Sequence, residues 1–391
     1  MATTVITVIS GVQYSGIWTM QQVNSAIAAG TWPPAYNDAY LYTWGRNNRG
    51  QLGIGNTSNR SSPSQVGALA NWLVVAGCYG FTNAIKNNGT LWAWGRNNFG
   101  QLGLGNTTYY SSPVQVGALT SWSTVSAGGR YHTVAIKTDG TLWSWGQGTG
   151  GKLGLGNTTN YSSPKQVGAL TNWSKVNCGL EHCLAIKTDG TLWSWGVNSQ
   201  GQLGLGAGAG YKSSPNQVGA LTTWSNLAPL GTASIVSKTD GTLWSWGNNS
   251  SGQLGLGNTT TYSSPKQVGT LTTWLNASAG CYAQHTMYTK TDGTLWAWGA
   301  GTLGALGLGN TTSYSSPKQV GALTSWLTVA GGAYYSTAVK TDGTVWSWGY
   351  NVYGQLGLSN TTYYSSPKQI GASYTWVKIS CGNESVVATS S

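Results

Sequence analysis

Short runs of β-branched and aromatic residues alternate along most of the chain with clusters of Gly, Asn, Asp and Pro. Four such runs follow one another at 122–127 (WSTVSA), 132–137 (HTVAIK), 141–145 (TLWSW) and 165–170 (KQVGAL). The runs have the composition of strands, and the residues between them favour turns. Because no helical period of apolar residues appears between the runs, the pattern predicts units of four β-strands.

The four-run unit is repeated seven times, with three markers that recur every 50–52 residues. A second Trp and a Ser-Ser-Pro triplet accompany each Trp-Gly pair. The pairs begin at Trp44, Trp94, Trp145, Trp195, Trp246, Trp298 and Trp348. Four strands in about 50 residues, repeated seven times, predict an all-β fold, a seven-bladed β-propeller.

The two ends of the repeat region predict how the ring closes. The first unit begins with a third strand, at 39–45, and the last unit stops after two strands, within 376–390. Pairing these segments completes the seventh blade and leaves no open sheet edge in the ring. We therefore assign residues 36–391 to the propeller and residues 1–35 to a separate N-terminal segment.

A glycine-rich motif in the repeats has a known counterpart. The sequence Trp-Gly-x-Asn-x-x-Gly-Gln-Leu-Gly-x-Gly, at 44–55 and 94–105, resembles the repeats of the regulator-of-chromosome-condensation family of seven-bladed propellers. The resemblance covers roughly residues 36–391 and implies the same fold. Because that family includes nucleotide-exchange factors, enzyme inhibitors, light sensors and scaffolds, the function must be argued from the site.

A decapeptide that recurs unchanged within the chain, KTDGTLWSWG, is predicted to be scaffold. It occurs unchanged at 137–146, 187–196 and 238–247, and 20 of the 22 Trp residues occupy repeated positions. Asp-Gly suits a hairpin turn, and the tryptophans that follow suit packing within and between blades.

The distribution of chemically reactive residues argues against an enzyme, a metal site or a cofactor. Of eight acidic residues, five are Asp in the repeated turns, and only Glu181 and Glu384 lie in variable loops, three blades apart. His132, His182 and His285 share one repeat position in separate blades, which is not the local spacing of a metal site. The five cysteines form no disulfide framework; we expect Cys78, Cys178, Cys281 and Cys381 to be small buried thiols and Cys183 to lie in a strand.

The units differ mainly in the loops between first and second strands and between third and fourth strands. In an up-and-down blade these loops lie on one face, and 15 of 21 Tyr and all five Arg map there. With a net charge of +11, this face is predicted to bind an anionic macromolecule; nucleic acid is disfavoured as that partner. The candidates are Arg46, Arg49, Arg60, Arg96, Tyr109, Tyr110, Arg130, Tyr131, Tyr282, Tyr334, Tyr350 and Tyr353.

Residues 1–35 do not repeat, and a strand at 5–9 and a short helix from Thr19 to Ala29 are predicted there. The stretches 14–21 and 28–33 resemble a short module of tailed-bacteriophage structural and tail-fibre proteins. The resemblance implies a virion-surface protein, in which Tyr14, Trp18 and Trp32 dock to other virion proteins while the propeller binds a host-surface glycan or protein. The alternatives are a soluble protein-binding propeller or a nucleotide-exchange factor. Neither a secretory signal nor a transmembrane segment is evident.

Overall fold

The computed structural model of the protein describes residues 39–129, 131–277, 280, 283–371 and 375–390. Within them the chain forms 28 strands, arranged as seven four-stranded antiparallel sheets, and two single-turn 3-10 helices, at Thr149–Gly151 and Thr302–Gly304. This architecture confirms the predicted seven-bladed propeller. No helix in this part of the chain is long and apolar enough to cross a membrane.

Six blades are built from consecutive strands. Blade 1 contains β3 (Trp72–Gly77), β4 (Phe81–Lys86), β5 (Leu91–Gly95) and β6 (Tyr110–Gln115), and blade 2 contains β7 (Trp122–Gly128), β8 (His132–Lys137), β9 (Leu142–Gly146) and β10 (Tyr161–Gln166). Blade 3 contains β11 (Trp173–Cys178), β12 (His182–Lys187), β13 (Leu192–Gly196) and β14 (Lys212–Gln217), and blade 4 contains β15 (Trp224–Leu227), β16 (Ala233–Lys238), β17 (Leu243–Gly247) and β18 (Tyr262–Gln267). Blade 5 contains β19 (Trp274–Ala277), β20 (His285–Lys290), β21 (Leu295–Gly299) and β22 (Tyr314–Gln319), and blade 6 contains β23 (Trp326–Gly331), β24 (Tyr335–Lys340), β25 (Val345–Gly349) and β26 (Tyr364–Ile370).

Blade 7 joins the two ends of the repeat region. Its strands are β27 (Trp376–Cys381), β28 (Ser385–Ser390), β1 (Tyr40–Gly45) and β2 (Arg60–Gln65), in the sheet order β2-β1-β28-β27. β1 pairs with β28 over six residue pairs, from Tyr40 opposite Ser390 to Gly45 opposite Ser385. The predicted closure of the ring by two strands from each end is confirmed.

The fourth strand of each blade begins earlier than the sequence pattern predicts. In blade 2 it covers Tyr161–Gln166 rather than 165–170, so the Ser-Ser-Pro triplet lies inside the strand. The strand is the outermost of its sheet, where a proline without an N–H group is tolerated. The register also shifts between Tyr161 and Lys165, which is the irregularity that a bulge introduces.

Tryptophans connect neighbouring blades as well as filling each one. In blade 2, Trp122 packs edge-on against Trp143 and Trp145, with ring centroids 6.1 and 5.8 Å apart. The fully buried indole of Trp145 donates a hydrogen bond to the backbone oxygen of Gln101, in the loop of blade 1, over 3.0 Å. Equivalent bonds of 2.9–3.0 Å join Trp44 to Gln355, Trp94 to Gln51, Trp195 to Lys152, Trp246 to Gln202, Trp298 to Gln253 and Trp348 to Ala305.

Gly103 allows this indole to lie against the preceding blade. Its φ is +75°, and a Cβ added there would lie 2.7 Å from Trp145 Nε1. The glycine of the Gln-Leu-Gly motif is therefore required both by backbone conformation and by the close approach of the tryptophan.

The repeated Lys-Thr-Asp-Gly segment is a hairpin turn, as predicted. Asp139 Oδ1 accepts hydrogen bonds from the backbone N–H and the hydroxyl of Thr141, at 3.0 and 2.6 Å. These bonds lower the pKa of Asp139, and the bond from the Thr141 hydroxyl has the largest effect. Lys137 Nζ lies 3.6 Å from the ring centroid of Trp143. The ammonium group therefore makes a cation–π contact with a tryptophan of the blade.

Candidate functional site

The variable loops are held rigidly by polar side chains beneath them. In blade 1, the fully buried Asn97 accepts a hydrogen bond from the Leu102 N–H and donates to the Asn106 carbonyl, at 2.9 and 3.0 Å. These bonds close the long loop between β5 and β6. The loop therefore presents Arg96 and Phe99 in fixed positions rather than on a free chain.

Arg96 contacts aromatic rings from two blades. Its Cζ lies 4.4 Å from the ring centroid of Tyr131 in blade 2 and 5.4 Å from that of Tyr79 in blade 1. Phe99 packs against the same Tyr131, at 5.0 Å, and Arg96 Nε donates to Asn98 Oδ1 over 2.9 Å. The two rings also pack edge-on against each other, with centroids 5.7 Å apart, and their cation–π contacts restrain the guanidinium group.

Arg46 occupies a comparable position on blade 7. Its Cζ lies 4.6 Å from the Tyr353 ring of blade 6, and its Nη1 forms an ion pair with Glu384 over 2.5 Å. Burial lowers the pKa of Arg46, but the hydrogen bond and charge of Glu384 outweigh that effect and raise the pKa. Arg46 therefore remains charged at all physiological pH values.

Arg49 lies between these two sites, with its Cζ 6.0 Å from the Tyr109 ring. Neither Arg49 nor Arg96 forms an ion pair with a carboxylate in the part of the chain that the structure describes. The cleft between Arg46, Arg49 and Arg96, with Tyr79 and Glu384 in its wall, has a volume of about 50 Å³. Small-molecule pockets are roughly 300–1,000 Å³, so the cleft is too small for such a ligand.

A second group of tyrosines extends this surface over blade 6. The Tyr350 ring contacts Tyr334, Tyr353 and Tyr363, with centroids 6.4, 6.4 and 5.1 Å apart. Burial, followed by the neighbouring Tyr363, raises the pKa of Tyr350. We call the whole surface, on blades 6, 7, 1 and 2, the arginine–tyrosine face; it consists of Arg46, Arg49, Tyr79, Arg96, Phe99, Tyr109, Tyr131, Tyr334, Tyr350, Tyr353, Tyr363 and Glu384.

Two of the predicted face residues have other surroundings. Arg60 begins β2 and donates to the backbone oxygen of its neighbour Asn59 over 3.4 Å. Tyr110 is half-buried in β6, and its hydroxyl accepts a hydrogen bond from Asn106 over 3.2 Å. The same Asn–Tyr bond recurs in four other blades, at Tyr161, Tyr262, Tyr314 and Tyr364, so Tyr110 belongs to the scaffold.

The remaining sequence candidates, Arg130, Tyr282, Tyr14, Trp18 and Trp32, lie outside the described residues. Sequence reasoning omitted Tyr79, Phe99, Tyr363 and Glu384 from the candidate set. The available signal was the repeat itself. Arg96 lies in the loop between the third and fourth strands of blade 1 and Tyr131 in the loop between the first and second strands of blade 2, and these two kinds of loop are neighbours on one propeller face.

The histidines occupy junctions between blades. His182 Nε2 is hydrogen-bonded to Ser234 Oγ and His285 Nε2 to Ser336 Oγ, at 2.9 and 2.8 Å. Complete burial lowers the pKa of His182 to about 3 and that of His285 to about 4. Both side chains are therefore neutral structural groups at physiological pH.

The expectation of small buried thiols is wrong for Cys78 and Cys178. Cys178 and Cys183, at opposite positions of β11 and β12 with Cα atoms 4.1 Å apart, form a disulfide, and Cys78 is also disulfide-bonded. The cysteines lie near hairpin ends, where sequence spacing alone does not reveal cross-strand pairing. Cys381 is a buried free thiol whose pKa burial raises to about 12.

Comparison with known proteins agrees with the repeat pattern. The regulator of chromosome condensation (RCC1) repeat matches residues 38–85, 88–136, 139–186, 189–225, 240–288, 292–339 and 342–389. The chain is 31% identical to the ultraviolet-B receptor UVR8 of Arabidopsis thaliana over 288 residues, which are 73% of this chain and 54% of UVR8. It is 38% identical to human protein RCC2 over 88 residues, which are 22% of this chain and 17% of RCC2.

Solved structures share the fold at lower sequence identity. Human WBSCR16 superposes with a TM-score of 0.80 and 22% identity, covering 90% of this chain and 99% of WBSCR16. Prp20p of Saccharomyces cerevisiae superposes with a TM-score of 0.81 and 20% identity, covering 91% of this chain and 92% of Prp20p.

Proposed function

Because the chain belongs to the regulator of chromosome condensation (RCC1) repeat family, we propose that it is a non-enzymatic, protein-binding propeller. Its partner presents acidic side chains to the arginine–tyrosine face. The observation that carries the proposal is the Arg96 guanidinium in contact with the rings of both Tyr79 and Tyr131, without a carboxylate partner among the described residues.

The geometry of the arginines favours a carboxylate-bearing partner. A guanidinium group whose plane is restrained by aromatic rings keeps N–H groups at its edge for bidentate contact with a carboxylate. Arg49 and Arg96 both line the cleft, and the net charge of +11 would accelerate encounter with an acidic surface. Tyrosines on both sides supply the rigid contact area that is typical of protein interfaces.

The face does not have the groups for hydrolysis by paired carboxylates. Its one acidic residue, Glu384, already pairs with Arg46, whereas such chemistry needs two carboxyl groups in different environments. Among the relatives, Prp20p is described with its binding to Gsp1p and histones and in a complex with Kap60. We transfer from it only the class of activity, protein binding.

A charge-reversal experiment tests the proposal. The doubly substituted protein Arg49→Glu/Arg96→Glu is compared with Lys266→Glu/Lys318→Glu. The two lysines are exposed, and the Nζ of each lies 5.5 Å from the centroid of a tyrosine ring. The control therefore makes the same change in charge, on blades 4 and 5, at cations that also contact tyrosine. Binding of a fluorescein-labelled poly-glutamate peptide is measured by anisotropy at low and high salt.

The arginine substitutions should weaken peptide binding at least tenfold, since a hydrogen bond to a charged group contributes about 1.5–3 kcal/mol. The lysine substitutions should weaken peptide binding far less. High salt should reduce the difference in affinity between the arginine variant and the lysine variant. Equal losses in the two variants would refute a specific face. Tighter binding of a duplex DNA of matched charge would instead favour a nucleic-acid partner.

The virion hypothesis stays a prediction, because the residues that motivate it, within 1–35, lie outside the described part of the chain and none of the relatives named above is described as a virion protein. We keep the proposal that residues 1–35 are a docking segment. Deletion of 1–35 should leave the propeller folded and abolish assembly onto particles, which immunogold imaging of virions would detect. Assembly of the truncated chain would reject it.

A further inference from the structure

One blade junction brings three metal-ligating side chains together. His132 at the start of β8 in blade 2 faces Cys178 and Cys183 of blade 3, and one ligand atom from each lies within 4.8 Å of the others. His132 Nε2 is 3.2 Å from Cys183 Sγ. All three side chains are at most 2% exposed.

Comparison between blades shows that this junction departs from the repeat. At equivalent junctions a serine hydroxyl, of Ser234 or Ser336, faces the histidine. The position of Cys183 holds a hydroxyl residue in five other blades, Thr82, Thr133, Ser234, Thr286 and Ser336, and each hydroxyl donates to a backbone oxygen of the preceding blade at 2.7–2.9 Å. Cys183 keeps only a long contact of 3.8 Å to the equivalent Lys152 oxygen. The Cys183 sulfur therefore does not replace the hydroxyl in the hydrogen bond between blades.

The cysteine on the opposite strand completes a set of soft donors. Cys178 pairs directly with Cys183 across the hairpin. It also lines a cavity of about 340 Å³ bordered by the first strands of blades 1, 2, 3, 6 and 7, which we call the central channel. Two thiolates and one imidazole are a donor set that binds zinc with a fourth position open. Two thiolate charges balance a divalent cation, so the occupied site would be neutral in its buried surroundings.

We propose that reduction of the Cys178–Cys183 disulfide creates a zinc site formed by His132 Nε2 and the two cysteine sulfurs. A dithiol reductant donates two electrons and two protons, which gives two protein thiols and one oxidised dithiol. Zn²⁺ then displaces both thiol protons and binds the two thiolates and the neutral imidazole, and water from the channel takes the fourth position. In the reverse step a small-molecule disulfide accepts two electrons from the two thiolates and becomes two thiolates itself. The Cys178–Cys183 bond re-forms, two ligands are lost and Zn²⁺ is released to solvent.

Cobalt(II) titration of the full chain under anaerobic conditions tests this site, because thiolate coordination gives charge-transfer absorption that other ligation lacks. The informative variant is Cys183→Ser, which restores the residue type found at Ser234 and Ser336 and should fold. Its control is Cys381→Ser, because Cys381 occupies the position of Cys178 in blade 7 but faces Val386 rather than a second cysteine. His132→Ala and His182→Ala form a second matched pair, since Ala233 occupies this repeat position in blade 4.

Reduced wild-type protein should bind one equivalent of cobalt, with thiolate charge-transfer bands that zinc abolishes by competition. Cys183→Ser and His132→Ala should bind at least tenfold more weakly, because even outer-shell changes weaken metal binding about 10–100-fold. Cys381→Ser and His182→Ala should match the wild type. The proposal is overturned if the reduced protein binds no cobalt, if the oxidised protein binds equally well, or if Cys381→Ser loses as much affinity as Cys183→Ser.

Discussion

The contact between Gly103 and Trp145 gives a sharp prediction about what stabilises the ring. In Gly103→Ala, the new Cβ would lie 2.7 Å from Trp145 Nε1, which real atoms do not tolerate, so the fully buried indole must move. The control is Gly117→Ala. Gly117 also has a positive φ, of +61°, but no atom lies within 4 Å of its added Cβ.

The magnitudes follow from these two environments. A left-handed conformation costs an alanine about 1–2 kcal/mol, and this is the whole expected loss in Gly117→Ala. Gly103→Ala adds about 1–3 kcal/mol for overpacking. It adds about 1–3 kcal/mol more because the displaced Trp145 indole N–H loses its acceptor while buried; the Gln101 carbonyl keeps the Thr133 hydroxyl as a donor. We therefore expect Gly103→Ala to lower the free energy of unfolding by about 2–6 kcal/mol more than Gly117→Ala.

Urea denaturation followed by tryptophan fluorescence measures both losses, and near-ultraviolet circular dichroism reports whether the tryptophan environment changes in the native state. Equal destabilisation by the two substitutions would show that the glycine is required only for its backbone conformation. The inference that blade-to-blade contact requires the Gln-Leu-Gly motif would then be wrong.

Three further predictions concern groups described above. Stability should fall as pH decreases from about 6.5 toward 4, because the unfolded histidines gain protons near pH 6.5 whereas folded His182 and His285, with pKa values of about 3 and 4, remain neutral. At pH 5 each of these two histidines should lower the free energy of unfolding by about 2 kcal/mol. The urea midpoints of His182→Ala at pH 7 and pH 5 should therefore differ less than those of the wild type. An unchanged difference would exclude His182 as a source of the pH dependence. Asp139→Asn should leave the melting temperature unchanged, because Asn88 makes the same two bonds to Thr90 in blade 1, whereas Asp139→Ala should lower it. Trp44→Phe should destabilise the protein by about 1–3 kcal/mol in urea titrations, because it removes the indole bond from Trp44 in blade 7 to the Gln355 carbonyl in blade 6. A loss no larger than that of an exposed Tyr211→Phe control would contradict this role.

The sequence predicted the fold well because the repeat provides seven versions of each local signal. The hydrophobic runs placed three strands of each blade nearly correctly, and the incomplete first and last units predicted closure through β1 and β28. The fourth strand was misplaced because its proline was interpreted as a break. Only its position at the outer edge of a sheet, which is a tertiary property, makes proline acceptable there.

The candidate sites were predicted less completely, for a related reason. Arg46, Arg96 and Tyr131 were identified because they differ between repeats, but their contacts depend on side chains from adjacent blades. His132 and Cys183 were judged separately because they lie 51 residues apart. In a propeller that distance is one repeat, so residues far apart in sequence meet at a blade junction.

The pairing of β1 with β28 also imposes an order on biosynthesis. Tyr40 pairs with Ser390, so one edge of β1 has no partner until almost the whole chain has been made. At 5–20 residues per second, the wait is roughly 20–70 s. During that time β1 is an open strand edge of the kind that pairs with other chains. A nascent chain stalled before residue 385 should therefore be the species most prone to aggregate or to require a chaperone.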